Sequence, residues 1–252
     1  MLRMAKALCP RCLRSLDEAD MTAVGGELLC PRCQALAEKG AKPAAPVPAA
    51  VAAEPEEAAA LPVRVWRAAG EWARGRWWWA RLPLLALFAY FLARHLADAE
   101  YQDLFKAVNL AIHEWGHYVF KAFGSFMEIF GGTLLQCLAP LLATLMFWKQ
   151  RDYFAILVCF GWLSTNLFDV AVYVGDARSQ SLPLVSPGGG DYVIHDWNML
   201  LGRLGWLRYD HALAGAVRVA AVVSMLLFLV PGSWLVWRMW RTRKEPAPAE
   251  GT

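Results

Sequence analysis

Five consecutive residues of this chain have the types and spacing of a hydrolytic metal site, His113-Glu114-Trp115-Gly116-His117. On a helix, positions i and i+4 lie on one face, so the two imidazoles can bind the same zinc ion. Zinc lowers the pKa of water towards neutrality, and Glu114 can take the proton as a general base while the water attacks a carbonyl. The alternative is that these polar residues only pack against neighbouring helices. The segment therefore predicts a catalytic zinc site with Glu114 as its base.

A catalytic zinc ion needs a third protein ligand and keeps one position open. The pair His195-Asp196 is the favoured source, because it stands where a helical stretch begins and a loop can lower it onto the metal. One of the two would bind the ion and the other would orient it. Asp169, within an apolar stretch, is a second candidate, and Glu128 is less favoured because it follows His117 closely. The choice of the third ligand stays open on these grounds.

A second metal site is indicated near the start of the chain by two Cys-Pro-Arg-Cys repeats. Seventeen residues separate the repeats, a spacing that lets two pairs of thiolates surround one tetrahedral zinc ion. The four ligands would be Cys9, Cys12, Cys30 and Cys33. The repeats resemble the zinc-ribbon family, and a structural zinc would stabilise a domain too small for an adequate core. The alternatives, paired disulfides or redox motifs, fit less well with a cytosolic location and with two copies.

The elements that must position these residues are predicted from composition. The chain has 252 residues, of which 58% are apolar and 19% charged, and its formal net charge is +3. Such an apolar composition excludes a disordered chain over residues 63–252, and so small a net charge gives no support for a nucleic-acid partner. Apolar stretches that qualify as membrane spans lie at 82–93 (extendable at both ends), 129–148, 153–175 and 219–237. A fifth stretch, 104–123, is less apolar and contains the His-Glu-Trp-Gly-His segment.

The resulting prediction is a mainly α, polytopic membrane protein with about four to six spans and a small N-terminal zinc-ribbon domain. The predicted parts are a zinc ribbon (1–39), an Ala/Pro-rich linker (40–62), a basic, tryptophan-rich interfacial segment (63–81), a transmembrane metalloprotease-like domain (82–244) and a tail (245–252). No secretory signal opens the chain and arginines precede the first span, so we expect the N-terminus in the cytosol. Beyond that span the distribution of basic residues does not settle the topology. Five alternating spans cannot place both the basic residues at 149–151 and those at the C-terminus in the cytosol.

The transmembrane part resembles the site-2-protease-like intramembrane zinc metalloproteases over roughly residues 83–210. The resemblance rests on a helix-borne His-Glu-x-x-His in a membrane segment, followed by Gly124 and by Gly131-Gly132. It implies that His113 and His117 are zinc ligands and that Glu114 is the catalytic glutamate. An Asp-Gly motif supplies the third ligand in that family, whereas this chain has His195-Asp196-Trp197, so the role falls to Asp196 or His195. The family also implies a membrane-dipping hairpin at 124–133, whose edge would hold an unwound substrate by strand addition.

These features predict a zinc-dependent intramembrane endopeptidase that cleaves a membrane-associated protein or peptide. It would use one catalytic and one structural zinc ion, and the ribbon would bind a cytosolic protein partner. A non-catalytic membrane adaptor that binds its partner through the ribbon is the main alternative. A transporter with a metal or proton path through His113, Glu114 and Asp169 is the third, although no duplicated halves are visible in the sequence.

Overall fold

The computed structural model describes residues 6–9, 14–17, 20–24, 27–38, 60–183 and 195–245. The chain divides into two compact units, Met1–Arg64 and Val65–Thr252. Most of the predicted linker and tail, 40–59 and 246–252, lies outside the described residues. The described residues are mainly helical, which confirms the predicted mainly α class, while the zinc ribbon stays a prediction.

The first unit contains two short β-hairpins and a helix. Strand β1 (Lys6–Leu8) pairs antiparallel with β2 (Ser15–Asp17), and β3 (Thr22–Val24) pairs antiparallel with β4 (Glu27–Leu29). Helix α1 (Pro31–Glu38) follows β4 directly. The buried side chains of this unit are Cys9, Met21, Leu29, Cys30 and Cys33. Among the described residues of this unit, three of these five buried side chains are cysteines.

The second unit is built from helices, the first of which begins before the boundary between the units. The helices are α2 (Leu61–Trp72), α3 (Leu82–Ala97), α4 (Lys106–Phe120), α5 (Ser125–Lys149), α6 (Tyr153–Gly175), α7 (Asp196–Leu204) and α8 (Asp210–Arg241). Helix α2 starts two residues inside the predicted linker, with Pro62 in its first turn, where the missing N–H costs no hydrogen bond.

Four helical stretches are long and apolar enough to cross a membrane, as expected for an integral membrane protein. They are Trp79–Ala97, Ser125–Lys149, Tyr153–Gly175 and Leu207–Arg241. Each contains one of the four spans predicted from the sequence. Four is the lower end of the predicted range of about four to six spans, and this lower number is confirmed. The fifth stretch forms α4, whose 15 residues give a helix about 22 Å long, short of the hydrocarbon core of about 30 Å.

The predicted hairpin at 124–133 is wrong, because Ser125–Lys149 is one continuous helix. The glycines that suggested a turn serve a different purpose. A Cβ atom on Gly116 of α4 would collide with the carbonyl oxygen of Gly131, and it would lie 2.8 Å from Cα of Gly132. Glycine at these positions therefore lets α4 and α5 cross in backbone contact, while α5 keeps its internal hydrogen bonds, as an apolar environment requires.

Helix α6 lies at the centre of the bundle. Of its most apolar window, 56% is buried inside the protein, against 22–28% for the other three candidate spans. Gly161 in its first half faces a T-shaped pair of rings, Phe88 of α3 and Phe228 of α8, whose centroids are 5.1 Å apart. The absence of a side chain at Gly161 lets both rings pack directly on the α6 backbone.

Four helix ends meet at one end of the bundle. Trp66 of α2 stacks on Trp234 near the C-terminal end of α8, with centroids 3.9 Å apart. Arg81, just before α3, lies 5.6 Å from the ring centroid of Phe154 in the first turn of α6. The start of α3, the start of α6 and the last turns of α8 therefore share this end, which we call the arginine end, with α2 packed across it.

Replacing Gly161 by alanine should destabilise the bundle, because the new Cβ would lie 2.9 Å from ring carbons of both Phe88 and Phe228. We expect the free energy of unfolding to fall by about 1–3 kcal/mol. Gly215→Ala in α8 is the matched control, since nothing lies within 4 Å of its new Cβ, and it should stabilise by about 0.4–1 kcal/mol. Thermal unfolding in one detergent tests both variants, and equal unfolding temperatures would contradict this packing.

Candidate metal centre

Three predicted site residues from two distant parts of the chain come together at the crossing of α4 and α5. Nε2 of His113 lies 3.0 Å from Oδ2 of Asp196, and Nε2 of His117 lies 3.3 Å from the same oxygen. One ligand atom from each of the three residues lies within 4.8 Å of the other two, so the group could hold a metal ion. His113 and Asp196 are buried, and His117 is half-buried. The group lies inside the protein, where a charged residue needs a partner.

The second ring nitrogen of each histidine is fixed by α5. Nδ1 of His117 donates to the carbonyl oxygen of Glu128 at 2.8 Å, and Nδ1 of His113 donates to Oε1 of Gln136 at 3.0 Å. Both acceptors lack a proton to give, so each Nδ1 carries a hydrogen and each Nε2 is directed towards Asp196. Hydrogen bonds of this kind orient histidine ligands in metalloproteins.

The arrangement of the two imidazoles and the carboxylate is suited to holding a cation. Two imidazole lone pairs and a carboxylate repel one another at these distances unless a proton or a metal ion lies among them. The hydrogen bond to Asp196 raises the pKa of His117 to about 9, which shows how strongly the carboxylate favours positive charge at this point. A divalent cation would satisfy the carboxylate and both imidazoles together.

Glu114 lies beside the group without belonging to it. Its side chain is half-buried, and its negative charge acts on both His117 and Tyr173. Within the described parts of the chain, no hydrogen bond or ion pair occupies its carboxylate. The carboxylate is therefore available to exchange a proton with a molecule bound at the site.

The backbone of α5 forms one wall of the centre. A Cβ atom on Gly132 would lie 2.6 Å from Nε2 of His113 and 2.7 Å from Nε2 of His117. A side chain there would occupy the space that the two ligand atoms face. The Gly131-Gly132 pair thus serves both the helix crossing and the centre.

The structure brings Asp196, and not His195, to the two histidines of α4. His195 stands one residue earlier and caps α7, since its Nδ1 accepts a hydrogen bond from the Asn198 backbone N–H at 3.2 Å. Its Nε2 donates to Oδ2 of Asp176 at 3.2 Å. Both ring nitrogens are therefore engaged, and of the two candidates for the third ligand it is Asp196 that joins His113 and His117.

Asp169 and Glu128 do not join the group as ligands either. Asp169 lies between Nζ of Lys106 at 3.2 Å and Nδ2 of Asn109 at 3.3 Å, in a separate polar cluster between α4 and α6. Glu128 contributes its backbone oxygen to His117, while its carboxylate lies 3.9 Å from Lys121.

Asp196 is held in place by residues that the sequence analysis did not single out. The Asp196 N–H donates to the Tyr173 hydroxyl oxygen at 3.0 Å, and the Tyr173 ring lies 4.4 Å from the His195 ring.

His195 is in turn anchored by Asp176, directly after α6. Asp176 also accepts hydrogen bonds from Ser179, Ser181 and Leu182. Burial acts to raise the pKa of Asp176, but these hydrogen bonds outweigh it and hold the pKa below its ordinary value.

The first unit contains a second candidate metal group. The thiols of Cys9, Cys30 and Cys33 lie within 4.8 Å of one another and could hold a metal ion. Cys9 follows β1, Cys30 follows β4, and Cys33 lies in the first turn of α1, so strands of two hairpins and the start of a helix bring them together. The Cys30 backbone N–H donates to Sγ of Cys9 at 3.4 Å. Cys12, the fourth predicted ligand, lies outside the described residues.

No protein family, curated protein or solved structure that was compared with the chain matches it. The chemistry of the centre is argued from its ligands. Two imidazoles and a carboxylate are a ligand set for first-row divalent metals, and three protein ligands leave a position for water or substrate.

Replacing Asp176 by asparagine should weaken metal binding without touching the metal group. Asparagine loses the charge and cannot accept all the hydrogen bonds that Asp176 receives, so the start of α7, and Asp196 with it, loses its anchor. We expect metal affinity at the α4 centre to fall by about 10–100-fold, measured by titration against a competing chelator. Asp152→Asn, at the opposite end of α6, is the control, since its Oδ1 caps Ala155 far from the centre. Equal affinities for the two variants would contradict the anchoring role.

Proposed function

We propose that the protein is an integral-membrane zinc metallopeptidase in which Glu114 is the general base. The observation that carries the proposal is the convergence of His113, His117 and Asp196 on one point, with the unengaged Glu114 carboxylate beside it. Ionisable groups are costly within an apolar helix bundle, and their grouping around one point favours a functional site. The resemblance of the motif to the site-2-protease-like family adds the reaction class.

His113, His117 and Asp196 would hold the zinc ion. Bound there, zinc would polarise the scissile carbonyl and lower the pKa of water at the site. Glu114 accepts the proton from the attacking water and returns it to the nitrogen of the departing amine. Glu128 and Gln136 keep both imidazoles in the tautomer with a free Nε2 throughout.

The substrate is proposed to be a membrane-associated protein segment that reaches the site across α4. Trp115 and Tyr118 of this helix are 68% and 64% exposed, which gives α4 an apolar outer face directly behind the catalytic motif. Because 124–133 is helical, it offers no strand edge for pairing with an unwound substrate. Recognition must then rest on side chains of α4 and α5, and not on strand addition.

The topology proposed here removes the charge conflict found in the sequence. Since α4 does not span, the chain has four crossings, and α5 ends at Lys149 where α6 begins. Lys149 therefore lies at the arginine end, together with Arg81 and Arg238 at the end of α8. Basic residues concentrate on the cytosolic side of membrane proteins. We therefore place the arginine end, and with it the N-terminus, in the cytosol.

A non-catalytic adaptor is the second candidate, favoured by the cysteine group in a compact unit of its own. In the proposed enzyme the same unit, holding a structural zinc ion, would recruit a cytosolic protein partner. The transporter alternative has no such support, because Asp169 is engaged by Lys106 and Asn109.

Glu114→Gln should abolish proteolysis while leaving the metal in place. Glutamine cannot accept the proton, so we expect kcat to fall by about 10²–10⁴-fold. Cleavage of labelled casein in detergent and of single-span proteins in liposomes measures the effect, with metal content determined on the same samples. Glu128→Gln is the matched control, because that residue serves His117 through its backbone oxygen. Wild-type cleavage rates for Glu114→Gln would overturn the mechanism.

Metal counting distinguishes the enzyme from the adaptor. We expect two zinc ions per full-length chain by elemental mass spectrometry. The double change Cys9→Ser with Cys30→Ser should remove one, and His113→Ala with Asp196→Ala should remove the other. A single zinc ion that is lost with the cysteines and unaffected by the second pair would favour the adaptor.

A further inference from the structure

An apolar groove lies between α3, α5 and α6, and none of the residues that line it belongs to the candidate metal centre. Its volume is about 330 Å³, and its walls are Phe88 of α3, Ala143 and Phe147 of α5, and Val158 and Trp162 of α6. Its lining is almost entirely apolar, so an apolar group is the occupant that fits it.

The groove follows α6 from Asp152 to Trp162. Ten residues of helix correspond to about 15 Å, which is half of a hydrocarbon core of about 30 Å. At the inner end Trp162 is fixed, because its Nε1 donates to Oδ1 of Asn109 at 2.9 Å. The outer end lies at the arginine end of the bundle. The length of the groove therefore matches the hydrocarbon thickness of one leaflet, and its opening lies at the level of the lipid head groups.

Arg81 stands at the opening. Its guanidinium lies over the rings of Trp72 and Phe154, with centroid distances of 5.5 and 5.6 Å, and its Nη1 donates to the Trp77 carbonyl oxygen at 2.6 Å. No carboxylate oxygen among the described residues lies within ion-pair distance of it, although the negative charge of Asp152 acts on it. Asp152, also at the opening, uses its Oδ1 to cap Ala155. Arg81 is thus held in place with N–H donors left for an anion.

We propose that this groove binds one acyl chain of an anionic phospholipid, whose phosphate is held by Arg81. A guanidinium matches phosphate geometry with two parallel hydrogen bonds. Arg76, whose charge acts on Arg81, and Arg151, adjacent in the chain to Asp152, add positive charge there, which favours a head group with net negative charge over one that carries its own ammonium. The site is independent of the proposed peptidase activity and stands whether or not the chain is an enzyme.

The preference for an anionic lipid is tested on the purified full-length chain after removal of co-purified lipid. Dioleoyl phosphatidylglycerol and dioleoyl phosphatidylcholine compete for the protein in equal amounts, and native mass spectrometry counts the molecules retained. We expect wild type to retain phosphatidylglycerol preferentially. Arg81→Gln should lower the retention of phosphatidylglycerol by about tenfold, the factor for one lost charge-assisted hydrogen bond to its phosphate.

Arg94→Gln is the matched control for the charge. Arg94 lies near the other end of α3 and also over an aromatic ring, that of Tyr101 at 4.8 Å, but it does not line the groove. The proposal requires it to keep the wild-type lipid ratio. Equal retention of both lipids by wild type, or equal losses in the two arginine variants, would show a non-specific lipid annulus and overturn the proposal.

A larger side chain that fills the groove tests whether an acyl chain binds there. Ala155 lines it, so Ala155→Phe should remove the retained lipid of both kinds. Ala86→Phe, at an exposed position of α3, is the matched control and should retain lipid as wild type does. The unfolding temperature of each variant shows that the fold is kept. Unchanged retention by a folded Ala155→Phe protein would place the lipid elsewhere.

Discussion

The candidate metal centre depends on the backbone contact between α4 and α5. Helices packed through ordinary side chains lie 8–10 Å apart, whereas Gly116 of α4 and Gly131 of α5 have no side chains to separate them. This approach brings the Glu128 carbonyl within 2.8 Å of His117 and the Gln136 amide within 3.0 Å of His113. Any side chain at the crossing would separate the helices and leave both imidazoles without the acceptors that fix their tautomers.

A second constraint is the energetic cost of burying charge among apolar helices. Asp196 is acceptable at its position because two imidazoles face it. Its helix must be held there, and Asp176 provides the anchor, receiving hydrogen bonds from the turn after α6 and from His195. Each buried carboxylate is thereby paired, which is the condition under which such groups are tolerated. The centre and its anchor form one connected set of hydrogen bonds through Tyr173, whose hydroxyl accepts from Asp196.

The features that were predicted correctly from the sequence are those that depend on local periodicity. Four spans follow from the length of apolar runs, and the shared face of His113 and His117 follows from helical spacing alone. The choice between His195 and Asp196 could not follow in this way, since it depends on which of two adjacent residues caps α7. Asp176 and Tyr173 act through contacts between distant segments, which no spacing rule reveals. The glycines at 131–132 misled the prediction, because glycine that permits a close helix crossing has the same sequence pattern as glycine in a turn.

The short length of α4 explains how one segment can carry so many polar groups in an apolar bundle. A spanning helix must present a lipid-facing surface along its whole length, whereas 15 residues can lie across its neighbours. Lys106, near its start, is then matched by Asp169, and Asn109 by Trp162, before the chain reaches the two histidines. The polar face of α4 is thus turned towards α5 and α6 throughout, and its apolar face, with Trp115 and Tyr118, is turned outwards. Lengthening α4 into a true span would expose the polar face to lipid, so the polar residues of α4 favour the proposed four-span topology.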